Sequence, residues 1–305
     1  MSVAVTDLPV ASSPDTARPA LMAAPSRRGQ LSNTAALLML APLLLLLGWT
    51  FFLPIIRLLI TSVTEPTLNI TNYVRLVTEP LYAQVIFRTI WIAFACTFFA
   101  LLLGYPVAAL MARPGSRITR IATICVLVPL WTSALVRSYA WIILLERTGV
   151  INSTLLGWGI IGTPLSMLYT NGAVLMAMTQ VLLPFMILPI FTALKSLPQD
   201  LPRAAANLGA SRARVFLSVT LPLSLPGVFA GCLLVFVMAL GFYITPALVG
   251  GPQTLMIATL IGQQATELLN WPFAGAISCV LLVLSLGITI TFKRLLRLDR
   301  VVSHD

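Results

Sequence analysis

SLPQDLPRAAANLGASRARVFLSVTLPLSLP, residues 196–226, is the one long interruption between apolar runs whose residues are arranged as well as polar. Pro198 and Pro202 bracket Asp200, a residue type that caps helix starts. Proline is tolerated in a first helical turn, where its missing N–H has no partner anyway. Leu201, Ala204, Ala205 and Leu208 fall at i, i+3, i+4 and i+7, one face of a helix. That face is narrow and small, so another backbone can approach it closely. Gly209 is placed to end the helix in the left-handed region. Ser211 then caps a second helix, in which Val215, Phe216 and Val219 are apolar and Arg212, Arg214 and Ser218 polar. The pattern predicts helix, glycine turn, helix, lying beside a membrane.

The flanks decide the fold class. Hydrophobic residues make up 58% of the chain and charged residues 9%, against roughly 25% charged in soluble domains. A membrane helix needs about 20 predominantly apolar residues. Six segments meet that need: 35–63, 86–112, 119–145, 171–195, 224–248 and 273–293. No water is available in the bilayer core, so each span satisfies its backbone as a helix. The expected fold is all-α, a polytopic membrane protein with six transmembrane helices. Residues 1–33, rich in Ala, Ser, Pro and Arg without periodicity, read as a disordered tail. The expected membrane domain covers 34–298, with the 196–222 loop between spans four and five, and residues 299–305 form a short C-terminal tail. Ser26-Arg27-Arg28 has a slight likeness to a twin-arginine export signal. The apolar run behind it is too long for one, and a retained first span is expected. Leu155 to Ser166 is apolar but short and glycine-rich, and fits an external re-entrant or interfacial piece.

Orientation follows from lysine and arginine. With the N-terminus inside, Arg18, Arg27, Arg28, Arg113, Arg117, Arg120, Lys195, Arg203, Arg212, Arg214, Lys293, Arg294, Arg297 and Arg300 are cytoplasmic, 14 of the 19 basic residues. Only Arg57, Arg75, Arg88, Arg137 and Arg147 fall elsewhere. Both termini and the segment around Gly209 are therefore expected in the cytoplasm. The +10 formal charge comes from these short clusters and does not point to nucleic acid.

Residues 196–226 resemble the EAA loop of permease subunits in bacterial ABC importers. That motif runs Glu-Ala-Ala, three residues, Gly, nine residues, Ile, one residue, Leu-Pro. Arg203, Ala204, Ala205, Gly209, Val219, Leu221 and Pro222 stand at the matching positions. Arg203 replaces the usual glutamate and reverses its charge, so an ion pair made by that glutamate is not carried over. Val219 for isoleucine is a trivial change. The resemblance implies that Arg203, Ala204, Ala205, Leu208, Gly209, Ala210, Ser211, Leu221 and Pro222 form an ATPase-coupling loop, its first helix docking into a cleft of a cytoplasmic ATPase subunit. LVPLWTSALVRSYAWIILLERTGVIN, LPFMILPIFTALKSLP and LVFVMALGFYITPALVGGP are similar to permeases of the spermidine/putrescine type. The implied partners are cytoplasmic ATPase subunits, a second permease subunit (identical or paralogous), an extracytoplasmic solute-binding protein and membrane lipid. The implied solute is small and polyamine-like, with other small solutes open, and the implied location is the bacterial inner membrane.

Polar residues in the spans are the candidates for a translocation path. Arg57, Arg88 and Arg137 fall toward outer ends, where long side chains snorkel to headgroups. Arg137 alternatively faces the path or pairs with Glu146. Gln180 lies near the middle of the fourth span, where an amide either bonds a neighbouring helix or meets solute. Pro184 and Pro189 kink the same helix and free backbone carbonyls. Phe242, Tyr243 and Thr245 lie close to the outer surface, as part of an aromatic belt or, as the family resemblance implies, of a gate.

Other classes fit poorly. Secondary transporters bury acidic relay residues in their spans, and none of the nine acidic residues here is deep in one. A membrane enzyme needs a cluster of acid, base, nucleophile or metal ligands. The single histidine, His304, and the scattered carboxylates supply no catalytic or metal site. Cys96, Cys125, Cys232 and Cys279 sit in apolar runs without C-x-x-C spacing. Neither Lys195 nor Lys293 follows glycine, so the phosphate-cradling loop is absent, and no cofactor is expected.

Overall fold

The computed structural model describes residues 33–64, 70–113, 115, 117–198 and 200–302. The expected N-terminal tail, 1–33, lies outside these except for Asn33, as do residues 303–305 of the expected C-terminal one. The chain divides into two units at Leu53. In the first, α1 (Asn33–Leu47) leads into a π turn, Gly48–Phe52. The second, from Pro54, holds all but the first residue of α2 (Leu53–Thr64), then α3 (Thr71–Thr78) and the long α4 (Pro80–Met111). Next come α5 (Arg117–Trp131), α6 (Ala134–Leu145), α7 (Val150–Gly157) and α8 (Asn171–Ser196). After α9 (Asp200–Asn207) and α10 (Arg212–Val215) a π turn, Phe216–Thr220, runs straight into α11 (Leu221–Leu240). The chain closes with α12 (Ile244–Val249), α13 (Ile257–Thr266) and α14 (Trp271–Val302).

Among the described residues, five continuous helical stretches are long and apolar enough to cross a membrane: Leu38–Thr64, Pro80–Met111, Asn171–Ser196, Arg212–Leu240 and Trp271–Arg294. The expected third span is not one helix. The chain bends by 104° between Trp131 and Ala134. Pro129 cannot donate to the carbonyl one turn back, and Thr132 folds its N–H and hydroxyl onto the Pro129 carbonyl at 3.2 and 2.8 Å. Ser133 then starts α6 afresh, its hydroxyl accepting from the Leu135 N–H at 3.2 Å. The fifth span also differs from the expected 224–248. It begins in the polar segment at Arg212 and stops at Leu240, with Gly241 as its end. The segment at Leu155–Ser166 holds the end of α7 and an irregular return, stapled by buried Asn152. Its amide donates to the Glu146 and Leu165 carbonyls at 3.1 and 2.9 Å and accepts from the Leu165 N–H at 2.9 Å.

On α4 both faces are apolar. Val85, Thr89, Ile92, Cys96 and Ala100 are buried, while Phe87, Trp91, Phe94, Phe98 and Leu102 form an exposed stripe on the other side. In water such a stripe would be a liability; against acyl chains it is at home. The core lies where α4, α8 and α11 meet, around Cys96, Ala100, Met178, Leu182, Met186, Ile190, Val235 and Ala239. Small residues set the spacing, as is usual where lipid supplies no hydrophobic drive between helices. A Cβ on Gly227 would lie 2.7 Å from the Pro189 carbonyl oxygen, and one on Gly231 would lie 2.9 Å from Met186 Sδ. Backbone cannot step aside as a side-chain tip can. Gly227→Ala is expected to destabilise the protein by on the order of 1–3 kcal/mol, the usual cost of overpacking. Gly287→Ala on α14, with nothing within 4 Å of the new Cβ, is expected to gain about 0.5–1 kcal/mol of helix propensity. Melting temperatures in detergent read both, and a Gly227→Ala variant as stable as wild type refutes the close approach.

Because the spans alternate in direction, residues 112–113 and 200–211 lie at one end of the bundle. Residues 146–170 and 241–270 lie at the other, together with α3. There Arg75 donates to Glu79 at 2.9 Å and lies over the Phe273 ring at 4.9 Å. The bond to Glu79 raises the guanidinium further above its ordinary range. This exposed pair contributes little to stability.

Candidate functional site

The first candidate is built by α9 and the turn behind it. Asp200 is not the cap expected from sequence but lies within the first turn, where its carboxylate favours the positive end of the helix dipole. At the other end the Ala210 N–H reaches the Ala205 carbonyl at 3.2 Å and the Gly209 N–H reaches Ala206 at 3.0 Å. That is the Schellman arrangement, and Gly209 has φ +84°. Ser211 follows, accepting from the Arg214 N–H at 3.4 Å. Within this chain α9 has no buried residue. Leu201 is 46% and Leu208 89% exposed, so the small apolar face stands open. Ala204 and Arg203 are exposed as well, and Ala205 and Ala210 half-buried.

Behind Ser211 there is no further loop. Arg212–Leu240 is a single helical stretch of 29 residues, so a polar segment and a membrane span form one uninterrupted helix. Its π turn stands just before Pro222. That residue has no N–H for the Ser218 carbonyl, and a widened turn accommodates the defect. Leu221 begins α11 proper. Two contacts tie this part to α4: Phe216 packs edge-on to Tyr105 with ring centroids 5.7 Å apart, and the Tyr105 hydroxyl shares a 2.9 Å hydrogen bond with Ser224 Oγ. Sequence reasoning missed Tyr105, which carries no local signal for this role.

The second candidate comprises Arg137, Gln180, Phe242, Tyr243 and Thr245, and three of the five converge on α6. Arg137 Nη1 donates to the Val181 carbonyl of α8 at 3.5 Å, and buried Nε has no partner among the described residues. Arg137 thus turns toward α8 rather than to Glu146. Ser138 shares a 2.9 Å hydrogen bond with Thr245, which is buried. One turn on, Trp141 Nε1 donates to Gln180 Oε1 at 3.5 Å. Gln180 therefore bonds a neighbouring helix while also lining a cavity of about 460 Å³. Phe242 packs against the core. Tyr243 stands apart, half-exposed at the wall of a different cavity of about 550 Å³. Arg88 is engaged as well, donating to the Leu255 carbonyl at 3.3 Å, whereas Arg57 is exposed.

These features define a multi-span helical membrane protein whose polar connection at one end continues without a break into a span. The family described as binding-protein-dependent transport system inner membrane component matches residues 100–297. The spermidine/putrescine transport system permease protein PotB of Haemophilus influenzae is 36% identical over 244 residues, 77% of this chain and 85% of that protein. PotB of Escherichia coli K12 is 35% identical over 222 residues, 73% and 80% of the two chains. A chain in the crystal structure of a bacterial ABC transporter importing the acidic polysaccharide alginate shares the fold, with TM-score 0.69 and 19% identity over 86% of this chain and 94% of that one. A second structure of an alginate transporter, in complex with a pentasaccharide-bound periplasmic protein, has TM-score 0.68 at 19% identity, covering 84% and 92%. The chain belongs to the family of inner membrane components of binding-protein-dependent transport systems. It is a permease subunit of an ABC importer and not itself the catalytic part.

Proposed function

We propose that this permease forms half of the path for a polyamine such as spermidine or putrescine. The observation that carries the reading is the identity of 36% to a spermidine/putrescine permease over 85% of its length. Within it, α9 and Gly209 form the coupling loop, docking on a cytoplasmic ATPase subunit through the open face of Leu201, Ala204, Ala205 and Leu208. A second permease subunit completes the path, and an extracytoplasmic binding protein delivers the solute. The alginate transporter, of like fold, has been crystallised in complex with such a ligand-bound periplasmic protein. The 14-to-5 split of basic residues supports both termini and Gly209 facing the cytoplasm.

The continuous Arg212–Leu240 helix supports the following cycle. Nucleotide closing the ATPases displaces α9; the turn at Gly209 and Ser211 passes the displacement to α11, and Tyr105 passes it to α4. The far end of α11 is joined through Gly241 to Phe242 and Tyr243. Spermidine uptake by proteoliposomes holding the whole complex tests the reading. ATP-dependent accumulation, competed by putrescine, is expected. A complex that couples ATP hydrolysis to another solute and leaves spermidine outside refutes the polyamine assignment. The molybdenum transport permease ModB of Mycobacterium bovis, 31% identical over 68% of this chain, makes molybdate the competitor to include.

A further inference from the structure

We propose that the cavity of about 550 Å³ beside Tyr243 is a binding site for the terminal ammonium group and methylene stem of the transported amine, with Glu267 as its anionic anchor. The proposal deepens the polyamine reading and rests on it. The cavity lies at the end of the bundle opposite α9, between Tyr169 ahead of α8, α12 with the connection behind it, and α13. Its size suits a small aliphatic ligand. Tyr169, Tyr243, Gly251, Thr259, Gln263 and Glu267 are among its walls.

The polar groups are placed in register. Thr259, Gln263 and Glu267 follow at i, i+4 and i+8 along α13 and its cap, one stripe on one face. Thr259 donates its hydroxyl to the Met256 carbonyl at 2.7 Å and fixes the start of the helix. The Gln263 amide and the Glu267 carboxylate have no side-chain partner among the described residues, which leaves both for a ligand. Opposite them stands Tyr243. A Cβ on Gly262 would come 2.5 Å from its Cε2 atom and 3.2 Å from its hydroxyl, so glycine at 262 is what lets the ring lie against α13. The Tyr169 ring is held from the other side, where Gly251 makes room for its Cβ.

Backbone strain marks the same place. Two non-glycine residues among those described have positive φ, Tyr169 at 64° and Leu269 at 52°. One lines the cavity and the other lies two residues beyond Glu267. Such conformations persist where the surroundings over-determine them, and they gather at ligand sites.

The chemistry selects the ligand. A carboxylate repels anions, and beside two tyrosine faces it favours a cation. An ammonium group brings three N–H donors, matching acceptors on Glu267, Gln263 and a tyrosine hydroxyl, while tyrosine faces attract the cation itself. The Leu255 and Pro246 walls suit methylenes. Only Gly241 and Phe242 separate Tyr243 from the end of α11, so a movement of that helix reshapes the site and releases its occupant.

The test uses the full reconstituted complex with its binding protein. Radiolabelled spermidine uptake, ATPase stimulation by spermidine-loaded binding protein and membrane abundance are measured together. Glu267→Gln is expected to lower uptake about ten-fold, the loss of one charge-assisted hydrogen bond, with stimulation retained. Glu267→Asp restores most of it, and Gln263→Leu lowers uptake while keeping the charge. Wild-type uptake by Glu267→Gln and Gln263→Leu overturns the site. Loss of ATPase stimulation in step with uptake makes this a docking surface for the binding protein and overturns it too. If Glu267→Gln fails to reach the membrane, the Gln263→Leu result decides. A wild-type complex that takes up no spermidine fails at the polyamine reading itself, a result separate from normal uptake by the variants.

Discussion

Gly209→Val is expected to abolish solute uptake while leaving the protein in the membrane at near-normal abundance. At φ +84° the backbone is in the region that glycine enters freely and a β-branched residue does not. Space is not the obstacle, since nothing lies within 4 Å of a Cβ built there. The cost is conformational, on the order of 1–3 kcal/mol. Membrane insertion is held by five or six apolar spans and tolerates that. The Schellman turn does not, because relaxing φ breaks the Ala210-to-Ala205 and Gly209-to-Ala206 bonds and swings α9 on its connection to Ser211. If α9 docks in an ATPase cleft as proposed, it is then misaimed. Reconstituted complexes of the variant should show weakened ATPase association or hydrolysis no longer stimulated by the binding protein. Normal uptake by Gly209→Val would sink the coupling assignment, and absence from the membrane would move the residue's role to folding. Gly209→Ala, with a smaller penalty at the same φ, should fall between.

What is legible in the sequence here is local. Gly209 and Ser211 announce a left-handed stop and a cap within three residues, and the helix–turn–helix is seen at those positions. Apolar length likewise locates the membrane segments. The bend at Thr132 and Ser133 is hidden inside a run apolar enough to pass for a straight span. Its signals, Pro129 and a serine cap, are too slight to stand out there. Polar residues and Pro222 look like a boundary within Arg212–Leu240, whereas a π turn carries the helix through. Site contacts are less legible still. In a membrane helix both faces are apolar, so periodicity does not tell the core side of α4 from its lipid side. Nor does spacing indicate that Arg137 reaches Val181, that Trp141 meets Gln180, or that Tyr243 lies against Gly262. Those pairings join residues far apart in the chain, and tertiary packing alone creates them. Nothing in the sequence sets Glu267 apart from the other carboxylates; the proposal for it comes from the cavity that it lines.

The second large effect is expected at Arg137, where stability and activity should move in opposite directions. The guanidinium sits in the first turn of α6 beside the 104° bend. Among the described residues its one hydrogen bond, to the Val181 carbonyl, is long at 3.5 Å, and its Nε is buried with no partner. A cation so placed is expensive: an unsatisfied buried donor costs roughly 1–3 kcal/mol, more when charged. Arg137 as a whole is only half-buried, so solvent relieves part of that cost, but removing the orphaned donor with Arg137→Met should still raise the melting temperature in detergent. A group kept despite that cost is expected to find its partners in another arrangement of the same helices. The hypothesis is that α6 and α8 shift during the cycle and give Arg137 the acceptors it lacks here, on a helix that also holds Thr245 through Ser138 and Gln180 through Trp141. Losing that stabilised state should cut uptake at least about ten-fold, equivalent to 1.4 kcal/mol, with binding of the ATPase unchanged. Arg137→Lys should recover little, because a single ammonium does not reproduce the guanidinium fork. A higher melting temperature with wild-type uptake would show that the cation serves no step of transport. A lower melting temperature would show that the Val181 contact already satisfies it, and that Arg137 is a structural tie between α6 and α8.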